Sequence, residues 1–250
     1  MSINLPQRLD QLLLSRGLFP SRSRARDAIA RGTVKVNGQV VDKPGQTVRD
    51  DAAIEIDDPA QDYVSRAALK LASALDHFGL DPAGRTCLDV GASTGGFTQV
   101  LLQRGASHVT AIDVGHGQIH PALAADPRVT NIEGLNARSL SAGDLAGRKV
   151  DFIVSDVSFI SLKLALPPAL NLAEPGAICV LLVKPQFEAG REAIGKGGLL
   201  KQPEDGPAVA ASLGRWLTDE MGWRSLGLIP SPISGGDGNQ EFLLAGSKTI

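Results

Sequence analysis

The sequence predicts an α/β protein: a seven-stranded, doubly wound and mostly parallel sheet, preceded by a small α+β domain. Three observations carry that prediction. Short apolar runs alternate with helical stretches from Tyr63 onward, as they do where helices link parallel strands. One run, Cys87-Leu88-Asp89-Val90, breaks into the turn Gly91-Ala92-Ser93-Thr94-Gly95-Gly96 and then a helix, Phe97 to Arg104. A glycine turn of this kind lets a ligand approach the backbone closely at the carboxyl edge of a parallel sheet. Finally, the polar, proline-broken segment Asp57-Asp58-Pro59-Ala60-Gln61-Asp62 marks a composition change, which predicts domains at 1–60 and 61–250.

The elements follow in order. Arg8 to Leu14 reads as an amphipathic helix and Gly17 to Pro20 as a turn. Ser21 to Arg31 reads as a second helix, capped by Ser21 and stopped by Gly32. Val34-Lys35-Val36 and Gln39-Val40-Val41 flank Asn37-Gly38, the signal of a tight hairpin. A helix over 64–78 precedes strands at 86–90, 108–114, 129–133, 150–155, 177–183, 224–230 and 241–245. The last two lack a long helix between them, which predicts a closing hairpin.

Composition narrows the class of protein. With 43% apolar residues the chain can bury a core, and a net charge of −2 gives no global attraction to nucleic acid. Cys87 and Cys179 both lie in apolar runs and are expected to be packed thiols in a reducing compartment. No basic-then-apolar leader opens the sequence, and the longest apolar stretch, Ala177 to Val183, is far shorter than the roughly 20 residues of a membrane helix. A cytoplasmic monomer without membrane attachment is expected. His116 and His120 lie four apart but lack a zincin's glutamate, so no metal is expected.

Residues 1–43 carry eight basic side chains against three acidic, while the remainder is net acidic. Arg8, Arg16, Arg22, Arg24, Arg26, Arg31 and Lys35 are therefore the candidate phosphate-binding set. The string R-L-D-Q-L-L…S-R-S-R-A-R-D-A-I-A-R-G-x-V-x-V-N-G resembles the S-four-type RNA-binding domain over residues 8 to about 56. Only Phe19 is aromatic there, so shape and backbone recognition are expected rather than base stacking.

The glycine spacing G-x-x-x-G-G, with Asp89 before it, differs from the G-x-G-x-x-G of dinucleotide enzymes. It resembles the opening of S-adenosylmethionine-dependent methyltransferases, whose Rossmann-like fold has seven strands and the same closing hairpin. Asp113 ends the next strand, where an acid can bind ribose hydroxyls. Lys70, Asp156, Lys184 and Glu241 lie on the preceding helix or at strand ends. Together they resemble the Lys-Asp-Lys-Glu set of FtsJ-type ribose 2′-O-methyltransferases. The strings Tyr63-Val64-Ser65-Arg66, Asp113-Val114-Gly115-His116-Gly117-Gln118, Ser155-Asp156-Val157-Ser158-Phe159-Ile160-Ser161, Lys184-Pro185-Gln186-Phe187-Glu188 and Gly238-Asn239-Gln240-Glu241-Phe242 are similar to those of the TlyA family. That resemblance covers nearly the whole chain. It implies a bacterial rRNA (cytidine-2′-O-)-methyltransferase, and members of the family are often named haemolysins.

The resemblance also implies roles. Lys184 would orient and deprotonate the 2′-hydroxyl, Asp156 would hold Lys184 near the methyl donor, and Lys70 and Glu241 would position the hydroxyl. Asp89, Gly91, Ser93, Gly95 and Gly96 would line the methionine end of S-adenosylmethionine. Asp113 would take the ribose, with Gln118 and Asn136 near the adenosine. Asn136 stands where many methyltransferases have an aspartate. Ribosomal RNA or ribosomal subunits are the implied partner. With nine residues after Glu241, the expectation is large-subunit rRNA, the small subunit remaining possible.

Rival readings leave fewer traces. Cytosine C5 chemistry needs a cysteine at the crevice, and amine methylation an Asn/Asp-Pro-Pro-aromatic string, which Asp156-Val157-Ser158-Phe159 is not. A cytolysin would need a spanning or basic amphipathic segment. A non-catalytic ribosome-assembly protein would have no use for all four charged residues beside an intact glycine turn.

Overall fold

The computed structural model describes residues 6–249, which form two compact units parting between Asp62 and Tyr63. The outer ends of the predicted domains, residues 1–5 and 250, lie outside the described residues.

The first unit comprises β1 (Gln7–Arg8), α1 (Leu9–Ser15), α2 (Arg22–Ala30), β2 (Val34–Val36), β3 (Gln39–Val40), β4 (Thr47–Val48) and β5 (Ile54–Ile56). Ser21 caps α2, its Oγ accepting from the Arg24 N–H at 3.2 Å. Asn37 and Gly38 both take positive φ, 50° and 81°, the paired left-handed turn that the twist of a two-residue hairpin favours. Leu9, Leu12 and Leu13 of α1 and Ala25, Ala28 and Ile29 of α2 recur at helical spacing and bury against Val34 and Val36. Two features escape sequence reading. β5 pairs antiparallel with the far edge of β2, and β1 pairs with β4. Strands of two or three residues carry no periodicity.

The second unit contains α3 (Ala68–Phe78), β6 (Thr86–Val90), α4 (Gly96–Gln103), β7 (His108–Asp113), α5 (Pro121–Ala124) and β8 (Val129–Glu133). It continues with β9 (Phe152–Ser155), α6 (Leu162–Ala165), α7 (Pro167–Leu172), β10 (Ile178–Val183), α8 (Pro185–Glu188), α9 (Gly206–Asp219), β11 (Trp223–Pro230) and β12 (Phe242–Lys248). The sheet order is β11-β12-β10-β9-β6-β7-β8. Strands β6 to β10 run parallel, and β12 lies antiparallel between β10 and β11. Because β6, β9 and β10 are covered on both faces, their sequences read as nearly unbroken apolar runs. Cys87, Phe152, Val154 and Leu182 pack on the face toward α3 and α4, while Leu88, Ile153, Leu181 and Val183 pack toward α6, α7 and α9.

Helix α3 starts four residues later than the sequence predicts. Ser65 folds the chain instead, its Oγ accepting from the Ala67 N–H, while the Val64 N–H is held by Gln99 Oε1 at 2.8 Å. Gly79, at φ 63°, closes the helix. No helix among the described residues is long and apolar enough to cross a membrane.

Candidate functional site

From β6 the chain crosses to β7 on one side, and β9 lies on the other. The carboxyl ends of β6 and β9 are therefore a topological switch point, where crevices form in open α/β sheets. Gly91 and Asp156 leave those two strands side by side. Gly91 has φ 83°, and a Cβ there would lie 2.9 Å from the Asp156 carbonyl oxygen, so only glycine fits. A cavity of about 460 Å³ opens here, lined by Gly91, Ser93, Asp113, Gln118, Asn136 and Asp156 with apolar Val114, Leu135 and Val157. Its volume suits a nucleoside-sized ligand.

Around this cavity the sequence-predicted residues divide. Asp113 Oδ2 accepts from the Ser93 N–H at 2.9 Å and Oδ1 from the Gly115 N–H at 2.7 Å, tying the glycine turn to the loop after β7. Ser93 Oγ donates to Gln118 Oε1 at 3.0 Å. Asn136 Oδ1 accepts from the Arg138 N–H at 3.0 Å, which leaves one lone pair and the amide N–H groups for a ligand. Gly96 packs against Ser65 and Ala68, and Gly95 against Leu123. Asp89 does not border the cavity. It is fully buried beneath the turn, where Oδ2 accepts from Thr98 Oγ1 at 2.7 Å, and burial pushes its carboxyl up to about 7.

The four charged residues gather as two ion pairs. Lys184 Nζ lies 2.7 Å from Asp156 Oδ1 and donates to Ser158 Oγ at 2.6 Å. Lys70 Nζ pairs with Glu241 Oε2, both nearly inaccessible. Register explains the gathering. Val183 stands opposite Phe242, so Lys184 and Glu241 flank the same step at the end of neighbouring strands. Lys70 lies on the buried stripe of α3 with Leu71, Ala74 and Leu75. Gly235 admits the glutamate, since a Cβ there would sit 2.8 Å from Glu241 Oε1.

Three residues at this rim had no role in sequence reasoning. Ser158 borders the cavity and touches Lys184. Phe159 is 91% exposed at φ 65° with its ring 5.3 Å from that of Phe187, and a bulky residue at positive φ is strained. Glu188 takes the Ser161 hydroxyl at 2.6 Å and the Leu162 N–H at 2.7 Å, and burial raises its carboxyl. Exposure and a backbone dihedral distinguish Phe159, and no sequence signal reports either.

In the first unit most of the predicted cations already have partners. Arg8 and Arg22 hold the buried Asp10 at 3.1 and 2.9 Å. Arg16 donates to the Ala52 carbonyl at 2.8 Å and to that of Asp50. Arg24 donates to the Ala60 carbonyl at 2.7 Å. Arg31 makes a bidentate bond to Asp58 at 2.8 and 2.9 Å and a third to Asp27 at 3.0 Å. Arg26 and Lys35 are exposed, with no ion-pair partner among the described residues. No cluster of three His, Cys, Asp or Glu side chains placed to hold a metal occurs among the described residues.

A seven-stranded sheet closed by an antiparallel strand, with a glycine cradle and an acid at the next strand end, defines a methyltransferase. The chain belongs to the FtsJ-like methyltransferase family, whose model matches residues 63–248, and the S4 domain matches residues 7–54. It is 45% identical over 238 residues to the 16S/23S rRNA (cytidine-2′-O)-methyltransferase TlyA of Mycobacterium tuberculosis, covering 95% of this chain and 88% of that one. It is 39% identical to Hemolysin A of Brachyspira hyodysenteriae, covering 94% and 98%. A solved Streptococcus thermophilus structure bearing the name hemolysin superposes with a TM-score of 0.76 at 40% identity, over 99% of this chain and 90% of that one.

Proposed function

We propose that this protein transfers a methyl group from S-adenosylmethionine to the ribose 2′-hydroxyl of a cytidine in ribosomal RNA. The observation that carries this reading is the pairing of Lys184 with Asp156 at the lip of a nucleoside-sized cavity. The reading is supported by the 45% identical relative, named for that reaction on 16S and 23S rRNA.

The residues present fit the cofactor. Gly91 and Ser93 border the cavity where a methionyl chain would lie, Asp113 on its lining would take the ribose hydroxyls, and Val114 and Leu135 would offer apolar faces to a purine. When bound, S-adenosylmethionine supplies an electrophilic sulfonium methyl. Lys184 would take the hydroxyl proton, with Asp156 fixing the lysine's direction. Lys70 and Glu241 form the second wall. Phe159 presents an exposed ring suited to stacking on a base, and Arg26 and Lys35 supply unpaired positive charge for phosphates. The protein acts as a monomer in the cytoplasm, with ribosomal RNA in a ribosomal subunit as the substrate.

The test is to incubate purified protein with S-adenosylmethionine and isolated ribosomal subunits, then map 2′-O-methyl groups by resistance to alkaline cleavage. A new resistant cytidine in a ribosomal subunit is the expected result. Methyl incorporation on a base, or none on either subunit, overturns the reading.

A further inference from the structure

Lys184 has a second anchor that the Lys-Asp-Lys-Glu set does not include. Its Nζ donates to Ser158 Oγ at 2.6 Å while lying 2.7 Å from Asp156 Oδ1. Ser158 is exposed, borders the cavity, and donates its own hydroxyl hydrogen to no described residue. The loop that carries Asp156 and Ser158 is fastened to the turn following Lys184. Glu188 accepts from Ser161 Oγ and the Leu162 N–H, and the Phe159 ring lies on Phe187. The same two segments thus meet at Lys184–Ser158 and again at Glu188–Ser161, so the serine has little freedom to drift from the lysine.

We propose that Ser158 is a positioning residue for methyl transfer that sets the direction of the Lys184 lone pair; this rests on the reading of the site as a 2′-O-methyltransferase. Once the Lys184 ammonium has given a proton to solvent, the neutral amine has two hydrogens and one lone pair, arranged tetrahedrally about nitrogen. Ser158 accepts one hydrogen, and the Asp156 carboxylate, 2.7 Å away, repels the lone pair, which is thereby turned toward the incoming hydroxyl. As the 2′-oxygen forms its bond to the methyl carbon, the O–H bond breaks and its proton adds to that lone pair. The electron pair of the broken S–CH3 bond returns to sulfur. Without Ser158, only Asp156 orients the amine, which can then turn its lone pair away from the oxygen.

Ser158→Ala and Ser158→Thr test this directly, because an exposed serine can change without disturbing the core. In Ser158→Ala, kcat for rRNA should fall about 10- to 100-fold, while cofactor Kd and KM for subunits stay within about threefold of wild type. Ser158→Thr, which keeps the hydroxyl, should recover most of kcat. A readout independent of turnover is the 1H–15N spectrum of lysine ammonium groups at acidic pH. The resonance lost in a Lys184→Arg control should be present in wild type and in Ser158→Thr, but exchange-broadened in Ser158→Ala. A wild-type kcat in Ser158→Ala, or an unchanged Lys184 resonance, overturns the proposal. If wild-type protein itself leaves no 2′-O-methyl group, the underlying function falls first, and that outcome is read before any variant.

Discussion

Two contacts on one ammonium group determine what Lys184 can do, and both come from a loop of another strand. Lys184→Ala removes the proposed proton acceptor without opening the proposed cofactor cavity, which its side chain does not line. Methyl transfer should drop at least about 100-fold, with cofactor affinity by calorimetry unchanged within a few-fold; turnover within tenfold of wild type would exclude it as the base. Lys70 is the poorer position for this test. Breaking its buried pair with Glu241 leaves an uncompensated charge at a cost of about 3–5 kcal/mol, so lost activity there would merge with lost stability. Asp113→Ala should behave in the opposite way to Lys184→Ala. It removes the proposed ribose partner and also frees the Ser93 and Gly115 N–H groups, which should weaken cofactor binding by about 1–3 kcal/mol. Turnover should recover at saturating cofactor, and unchanged affinity would show that Asp113 does not engage the ribose.

At the scale of elements, the β6–turn–α4 unit combines a cradle with a buried acid. Asp89 sits in β6 with its carboxyl pushed from the ordinary 3.8 up to about 7 by burial, against the opposing hydrogen bond from Thr98. The folded chain keeps this proton where the unfolded chain has released it. Its contribution to stability is therefore whole below pH 3.8, declines as pH rises toward 7, and is lost above that. The full change is about 4 kcal/mol. Asp89→Asn carries no titrating group, so the difference in melting temperature between the variant and wild type should move in the variant's favour across that window. A constant difference from pH 4 to about 8 would show that Asp89 is ionised when folded. The opposite sign holds in the first unit. Burial alone would raise Asp58, but the Arg31 guanidinium and the Ala60 N–H together outweigh it and hold the carboxyl below its ordinary range. That contribution is present above pH 3.8 and is lost as pH falls through the lowered value.

For the whole molecule, the working hypothesis is that charge on the first unit serves RNA and charge on the second serves chemistry. Because Arg31, Arg24 and Arg16 are engaged in holding the first unit together, reversing them would test folding. Arg26→Glu combined with Lys35→Glu alters exposed cations without removing an internal contact. Binding to ribosomal subunits should weaken and its dependence on salt become shallower by about two contacts, while cofactor affinity stays as in wild type. An unchanged salt slope would place the RNA anchor elsewhere.

The sequence by itself determined the alternation of strand and helix, the glycine turn and the Asn37-Gly38 hairpin, because each is written in local spacing or composition, whereas the four charged residues were singled out by resemblance to the FtsJ-type set. It also located the basic segment, though not which of its cations are spent internally: Arg26 lies in α2 and Arg31 caps the same helix, and it is the bonds to Asp27 and Asp58 that distinguish Arg31. Tertiary structure alone decided that Asp89 lies beneath the cradle rather than in it, that Lys70 partners Glu241, and that Ser158 and Phe159 stand at the rim. The reason is physical. Strand and helix formation follow from neighbours a few residues apart, whereas the partner of a charge is set by register between strands far apart in sequence, such as Val183 opposite Phe242.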